Sequence, residues 1–142
     1  MKNLLLLIAL AALGQHAQAQ KMAAAQVPAA VKNTFKAKFP TVKTTTWERE
    51  NGNFEASFTQ RGAAMSAVIT PAGELKETET DMPVARLPAA VRATLARDFK
   101  AYKVTEAATL VSGAGLTTYE AEVKKDGKVQ DVVFRADGTV IN

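Results

Sequence analysis

Val27-Pro28-Ala29-Ala30-Val31-Lys32 returns 60 residues later as Leu87-Pro88-Ala89-Ala90-Val91-Arg92. At the same offset Phe35 matches Leu95, Phe39 matches Phe99 and Lys43 matches Lys103. The offset then becomes 65, and Phe54-Glu55-Ala56 matches Tyr119-Glu120-Ala121, with Phe58 on Val123 and Gly62 on Gly127. Ile69, Gly73 and Leu75 match Phe134, Gly138 and Val140 in the same way. The second copy thus holds five extra residues, and loop composition places them at Val111-Ser112-Gly113-Ala114-Gly115. Apolar and glycine positions keep their type and order, so the chain reads as a duplication. Charge agrees: residues 27–82 carry seven basic and seven acidic side chains, and residues 88–142 carry eight and seven. Neither copy is a basic module.

Within each copy the apolar period changes once. Val27, Val31, Phe35 and Phe39 are four apart, as are Leu87, Val91, Leu95 and Phe99, which makes one stripe along a helix. Pro28 and Pro88 suit the first helical position, where a missing N–H costs nothing, and Pro40 closes the first helix. Alternation follows. Phe54, Ala56 and Phe58 point one way while Glu55, Ser57 and Thr59 point the other; Tyr119, Ala121 and Val123 alternate with Glu120, Glu122 and Lys124. Asp126-Gly127 is a strong hairpin signal, matched by Arg61-Gly62. Pro71-Ala72-Gly73 and Ala136-Asp137-Gly138 turn the chain into last strands at residues 74–79 and 139–141. The expected fold is α+β: a tandem repeat of a helix followed by a four-stranded antiparallel sheet, with units at residues 20–82 and 83–142.

Residues 1–19 read as a signal peptide. Lys2 is the positive start, residues 4–13 form the apolar run, and Ala17-Gln18-Ala19 is a small-x-small cleavage site. The run is shorter than the ~20 residues of a spanning helix, and no later segment reaches that length. Cleavage would leave 123 of the 142 residues, with 17 basic against 14 acidic side chains, and would remove His16, the single histidine. With no Cys in the chain, the mature protein would have neither Cys nor His. A fold of that size must rest on its apolar core.

The Pro-x-x-Val helix starts at Pro28 and Pro88, the Phe/Tyr-Glu-Ala strands at Phe54 and Tyr119, and the paired turn glycines at Gly62, Gly127, Gly73 and Gly138 follow one order twice. Trp47 ahead of Asn51-Gly52 completes the pattern. In these features residues 27–142 resemble the PepSY-like, beta-lactamase-inhibitor-like family of exported bacterial proteins. The resemblance implies tandem helix-plus-sheet units, a periplasmic or extracellular address and no catalysis. The inhibitors that give the family its name are tandem α/β units that bind an enzyme across their sheets. They are disulfide-bonded, and this chain departs from them in having no Cys.

The inventory of reactive side chains is sparse. Without Cys or a retained His, Ser-His-Asp and Cys-His arrangements and zinc sites built on those residues are excluded. No Gly-x-Ser-x-Gly, Walker A or Gly-x-Gly-x-x-Gly occurs. Glu55 and Glu120 hold equivalent strand positions and read as solvent-facing residues rather than an acid/base pair. Glu74, Glu77, Glu79 and Asp81 lack a calcium-loop pattern and read as the charge on an edge strand. Lys124, Lys125 and Lys128 read as a solvated hairpin, not a nucleic-acid patch, since Asp126 and Asp131 interrupt them. Trp47 is open to two readings, a core residue or a partner-binding anchor on a polar face shared with Thr45 and Arg49.

These observations predict an exported, non-enzymatic module that binds or inhibits another exported protein or peptide through a sheet face. The candidate contacts are Trp47, Glu55, Ser57, Glu120, Glu122 and Arg135. No cofactor, nucleic acid or membrane span in the mature chain is expected. The alternative is a small-ligand or envelope-sensing module with a pocket between helix and sheet.

Overall fold

In the computed structural model, residues 20–141 are described, so the expected signal peptide lies outside the described residues. The elements are β1 (Gln20–Met22), α1 (Ala29–Lys38), β2 (Thr46–Glu50), β3 (Asn53–Gln60), β4 (Ala63–Ile69) and β5 (Leu75–Asp81). Then follow α2 (Ala89–Asp98), β6 (Lys103–Ser112), β7 (Thr117–Lys125) and β8 (Lys128–Phe134). All eight strands join in one antiparallel sheet, in chain order from β1 to β8.

Both helices arise from the repeated stripe. Pro28 and Pro88 cap the N-termini, one place earlier than expected, and their carbonyls accept from Lys32 and Arg92. Val31 and Phe35 of α1 bury against Trp47, Phe54, Ala56, Phe58, Ala67 and Ile69. Val91 and Leu95 of α2 bury against Ala107, Ala121, Val123, Val132 and Phe134. Full burial of each large side chain is worth roughly 1.5–3 kcal/mol, so the two clusters carry the fold. The first is the more aromatic: the Phe35 ring lies 5.3 Å from Trp47 and 5.1 Å from Phe58, both edge-on.

Register puts both helices on one face. Directly paired residues of neighbouring strands point the same way. The row Met65, Thr80, Thr109, Tyr119, Phe134 runs from the first core to the second across β4 to β8. The other face of the sheet carries no helix.

Three expectations change. The acidic stretch at residues 74–81 is not an edge. β5 lies inside the sheet, paired with β4 and β6; its charges alternate onto the helix-free face while Thr78 and Thr80 face the helix side. The last strand of the second unit shrinks to a single bridge, Phe134 to Val140. There the Thr139 N–H turns to the Asp137 carboxylate at 2.9 Å, and the carbonyl of Thr139 accepts from Arg135. Finally, β1 pairs with β2 ahead of α1, a strand too short to show a period in sequence.

Candidate functional site

The helix-free face is built by strand alternation. One row across it reads Glu48, Glu55, Val68, Glu77, Ser112, and the next Thr46, Ser57, Ser66, Glu79, Leu110, Thr118. A third holds Asp81, Ala108, Glu120 and Val133, and a fourth Glu106, Glu122 and Asp131. Carboxylates therefore gather where β5 to β8 meet. Glu79, Asp81, Glu106, Glu120, Glu122 and Asp131 line a hollow of about 270 Å³ together with Ala107 and Ala108. Ala108, the small side chain on this face here, keeps the surface low.

Burial and like charge act together here. The Glu120 carboxyl is pushed up to about 7 by burial first and then by Asp131, Glu79, Glu77 and Glu122. Glu79 is raised by burial and by Asp81, Glu55, Glu77 and Asp131, and Asp131 by burial and Glu122. Among the described residues the one salt bridge is Arg97 to Asp98 on α2, so no lysine or arginine lies within ion-pair distance of these acids. No group of three or more of the described acids is arranged to hold a metal ion.

A second, larger hollow adjoins the first at Glu79 and Asp81. It is an open groove of about 750 Å³ lined by the hydroxyls of Thr41, Thr44, Thr46, Ser57, Thr59 and Ser66, with Lys43, Glu55, Glu79 and Asp81. One side is the segment at residues 41–45, which leaves the sheet between α1 and β2.

Of the residues singled out in sequence, Glu55, Ser57, Glu120 and Glu122 stand on this face. Glu55 and Glu120 are four strands apart, roughly 19 Å at the usual spacing, and do not form a pair. Glu122 takes the Thr105 hydroxyl, which donates both to its carboxylate and to its backbone carbonyl. Arg135 is exposed beyond β8, in the turn whose Thr139 carbonyl accepts its N–H.

Trp47 is not an exposed anchor. It is 6% exposed and packs beneath α1, because its partner Ala56 faces the helix side and leaves room for the indole. Arg49 shares that side but lies at its margin, over the Phe54 ring at 5.7 Å. Sequence reasoning missed Glu79, Asp81, Glu106 and Asp131 as neighbours of Glu120. The signal was there in the strand period, and only the order of strands across the junction was lacking.

A family model described as putative beta-lactamase-inhibitor-like, PepSY-like, matches residues 15–75 and again residues 66–142. The chain belongs to this family. No curated protein matches it. Among solved structures it is similar to a putative periplasmic protein from Bacteroides eggerthii, at 22% identity and TM-score 0.74, covering 82% of this chain and 86% of that one. A DUF2874 family protein from Bacteroides uniformis gives 18% identity and TM-score 0.73, with 81% and 86% covered. A BLIP-like protein from Bacteroides fragilis gives 20% and 0.67, with 81% and 84% covered. The fold is thus a BLIP-like α+β fold with one eight-stranded sheet and two helices.

Proposed function

We propose that this protein is an exported, non-enzymatic module that holds another exported protein or peptide on the helix-free face of its sheet. The supporting observation is that face itself. It runs across the sheet without a covering layer and gathers six carboxylates in one hollow with no cation in ion-pair reach. Its contacts would include Glu55, Ser57, Glu120 and Glu122, with Arg135 at the β8 margin; Trp47 would act through the core. The periplasmic description of one structural neighbour and the inhibitor-like family support an address outside the cytoplasm. In this reading residues 1–19 are the signal peptide, and residues 20–82 and 83–142 are two copies of one unit.

A further correspondence supports the duplication. The Thr34 hydroxyl donates to the Gly73 carbonyl at 2.6 Å, and the Thr94 hydroxyl to the Gly138 carbonyl at 2.9 Å, each tying a helix to the turn before its last strand. A small ligand enclosed between helix and sheet is less favoured, because Phe35, Phe39, Trp47 and Phe58 fill the first interior.

Affinity capture from the exported fraction tests the reading. A combined Glu79→Gln, Glu120→Gln, Asp131→Asn protein should lose the captured partner. A Lys36→Gln, Arg92→Gln protein, altered only on the helices, should keep it. Equal capture by both would refute the sheet-face reading.

A further inference from the structure

One difference between the two halves on the helix-free face leaves a gap in the sheet. In the second half, β6 pairs with β7 as far as Lys103 opposite Lys124, with a bulge between Val104 and Glu106. Thr105, the bulged residue, is held there by its hydroxyl bond to Glu122. In the first half the corresponding residues are Thr45 and Ser57. Ser57 has no carboxylate to reach for a bulge, and pairing between β2 and β3 stops at Thr46 opposite Ser57. Residues 41–45 then stand away from the sheet, with Val42 packed on the first core and Thr41 accepting from the Gln60 amide at 3.2 Å.

The gap exposes main chain. The Asn51-Gly52 turn closes on the pair Glu50 and Asn53, so Asn53, Glu55, Ser57 and Thr59 direct their N–H and C=O groups toward β2. At Thr59 no strand is there to meet them. Among the described residues no backbone hydrogen bond joins residues 41–45 to β3. Thr59 is exposed, and its counterpart Lys124 is paired. The gap opens onto the 750 Å³ groove, whose lining sets three acids, Glu55, Glu79 and Asp81, against one base, Lys43.

We propose that this notch takes an extended peptide segment bearing a cationic side chain, whose backbone continues the interrupted ladder at Thr59. The proposal rests on the sheet-face reading above and narrows it to one end of the face. Main-chain bonds would give the segment its direction, while alternate side chains would lie over the hydroxyl-lined groove. The acids of the groove supply the preference for a positive charge.

The test uses the exported chain labelled with ¹⁵N, and blocked heptapeptides as probes. One alternates lysine with threonine, one replaces lysine with glutamate, and one is the lysine peptide N-methylated along its backbone. The lysine peptide should shift the amides of Thr44, Ser57 and Thr59 and slow hydrogen exchange at Thr59 about tenfold or more. The other two should do neither. Ser57→Glu separates this mechanism from simple charge attraction. It restores to the first half the acceptor that clamps the bulge in the second, so it should close the notch and abolish binding although it adds a negative charge. Tighter binding by Ser57→Glu would overturn the proposal. Shifts confined to Glu106, Glu120 and Asp131 would overturn the notch and leave the sheet-face reading standing. Shifts on α1 or α2 would overturn both. Protection of Thr59 that grows with protein concentration alone would show a second copy in the notch and refute a peptide occupant, as would absence of any response to the lysine peptide.

Discussion

Glu120 stands on β7 beside Asp131, Glu79, Glu77 and Glu122, half-buried, and holds its proton up to about pH 7 against an ordinary value of 4.5. Between those two values the folded chain binds more protons than the unfolded one, so stability falls as pH rises from about 4.5 to 7 and is flat above. Glu79 and Asp131 are raised too and slope the same way, whereas the lowered Asp98 and Asp137 lose their contribution only at lower pH. Since Glu120 is half-exposed, solvent screening reduces its part to about 1 kcal/mol. Glu120→Gln should therefore raise the urea midpoint at pH 8 and leave it nearly unchanged at pH 4.5. Equal effects at both pH values would show that the carboxylate is not strained in the fold. Trp47 makes the opposite kind of residue-scale case. Buried against Phe35 at 5.3 Å, it should emit to the blue and resist iodide quenching, and Trp47→Ala should cost about 3–5 kcal/mol in chemical denaturation. Its alternation with Thr45 and Arg49 suggested a polar side. What decides otherwise is Arg49 lying over Phe54 at the sheet margin, a placement that no sequence period conveys.

At the scale of elements, each helix is fastened to a turn by the same device, and the two versions differ in tightness. Gly138 has φ +84°, and a Cβ there would lie 2.5 Å from the Ala90 carbonyl oxygen and 2.8 Å from Thr94 Oγ1. Gly73 has φ +89°, but its Cβ would meet the Ala30 carbonyl oxygen at 3.0 Å. Alanine at either place would carry the strain of a positive φ, and only at Gly138 would it also collide with the hydroxyl that ties the turn to α2. Gly138→Ala should destabilise more than Gly73→Ala, by about 1 kcal/mol or more, as read from paired thermal melts. The elements themselves were largely readable in sequence. Four-residue spacing marked both helices, and Arg61-Gly62 and Asp126-Gly127 marked hairpins, each with positive φ at both turn residues, as at the Asn51-Gly52 turn. The acidic β5 misled, because charge on one side of a strand says which face meets water and not whether both edges are paired. Its neighbour across the sheet, β6, lies beyond a helix in sequence, and such long-range pairing leaves no local trace.

The whole molecule joins two separate cores through one strand pair. The first core holds Trp47, the sole tryptophan, and the second packs Tyr102 and Tyr119, the only two tyrosines. Each half thus has its own optical reporter. Alone, a unit of about 60 residues buries too little apolar surface to be comfortably stable, so the β5–β6 pairing should make unfolding a single event. Fluorescence of Trp47 and near-ultraviolet dichroism of the tyrosines are expected to give one coincident urea transition. Gly113 sits at the seam, where its N–H donates to the Lys76 carbonyl at 2.7 Å and an added Cβ would fall 2.1 Å from the Leu75 carbonyl oxygen. Gly113→Ala must force the start of β5 away from the end of β6. If the halves stabilise each other across this seam, both probes should move to lower urea together and remain superimposed. If instead the tryptophan and tyrosine transitions separate in the parent chain, the two cores unfold independently.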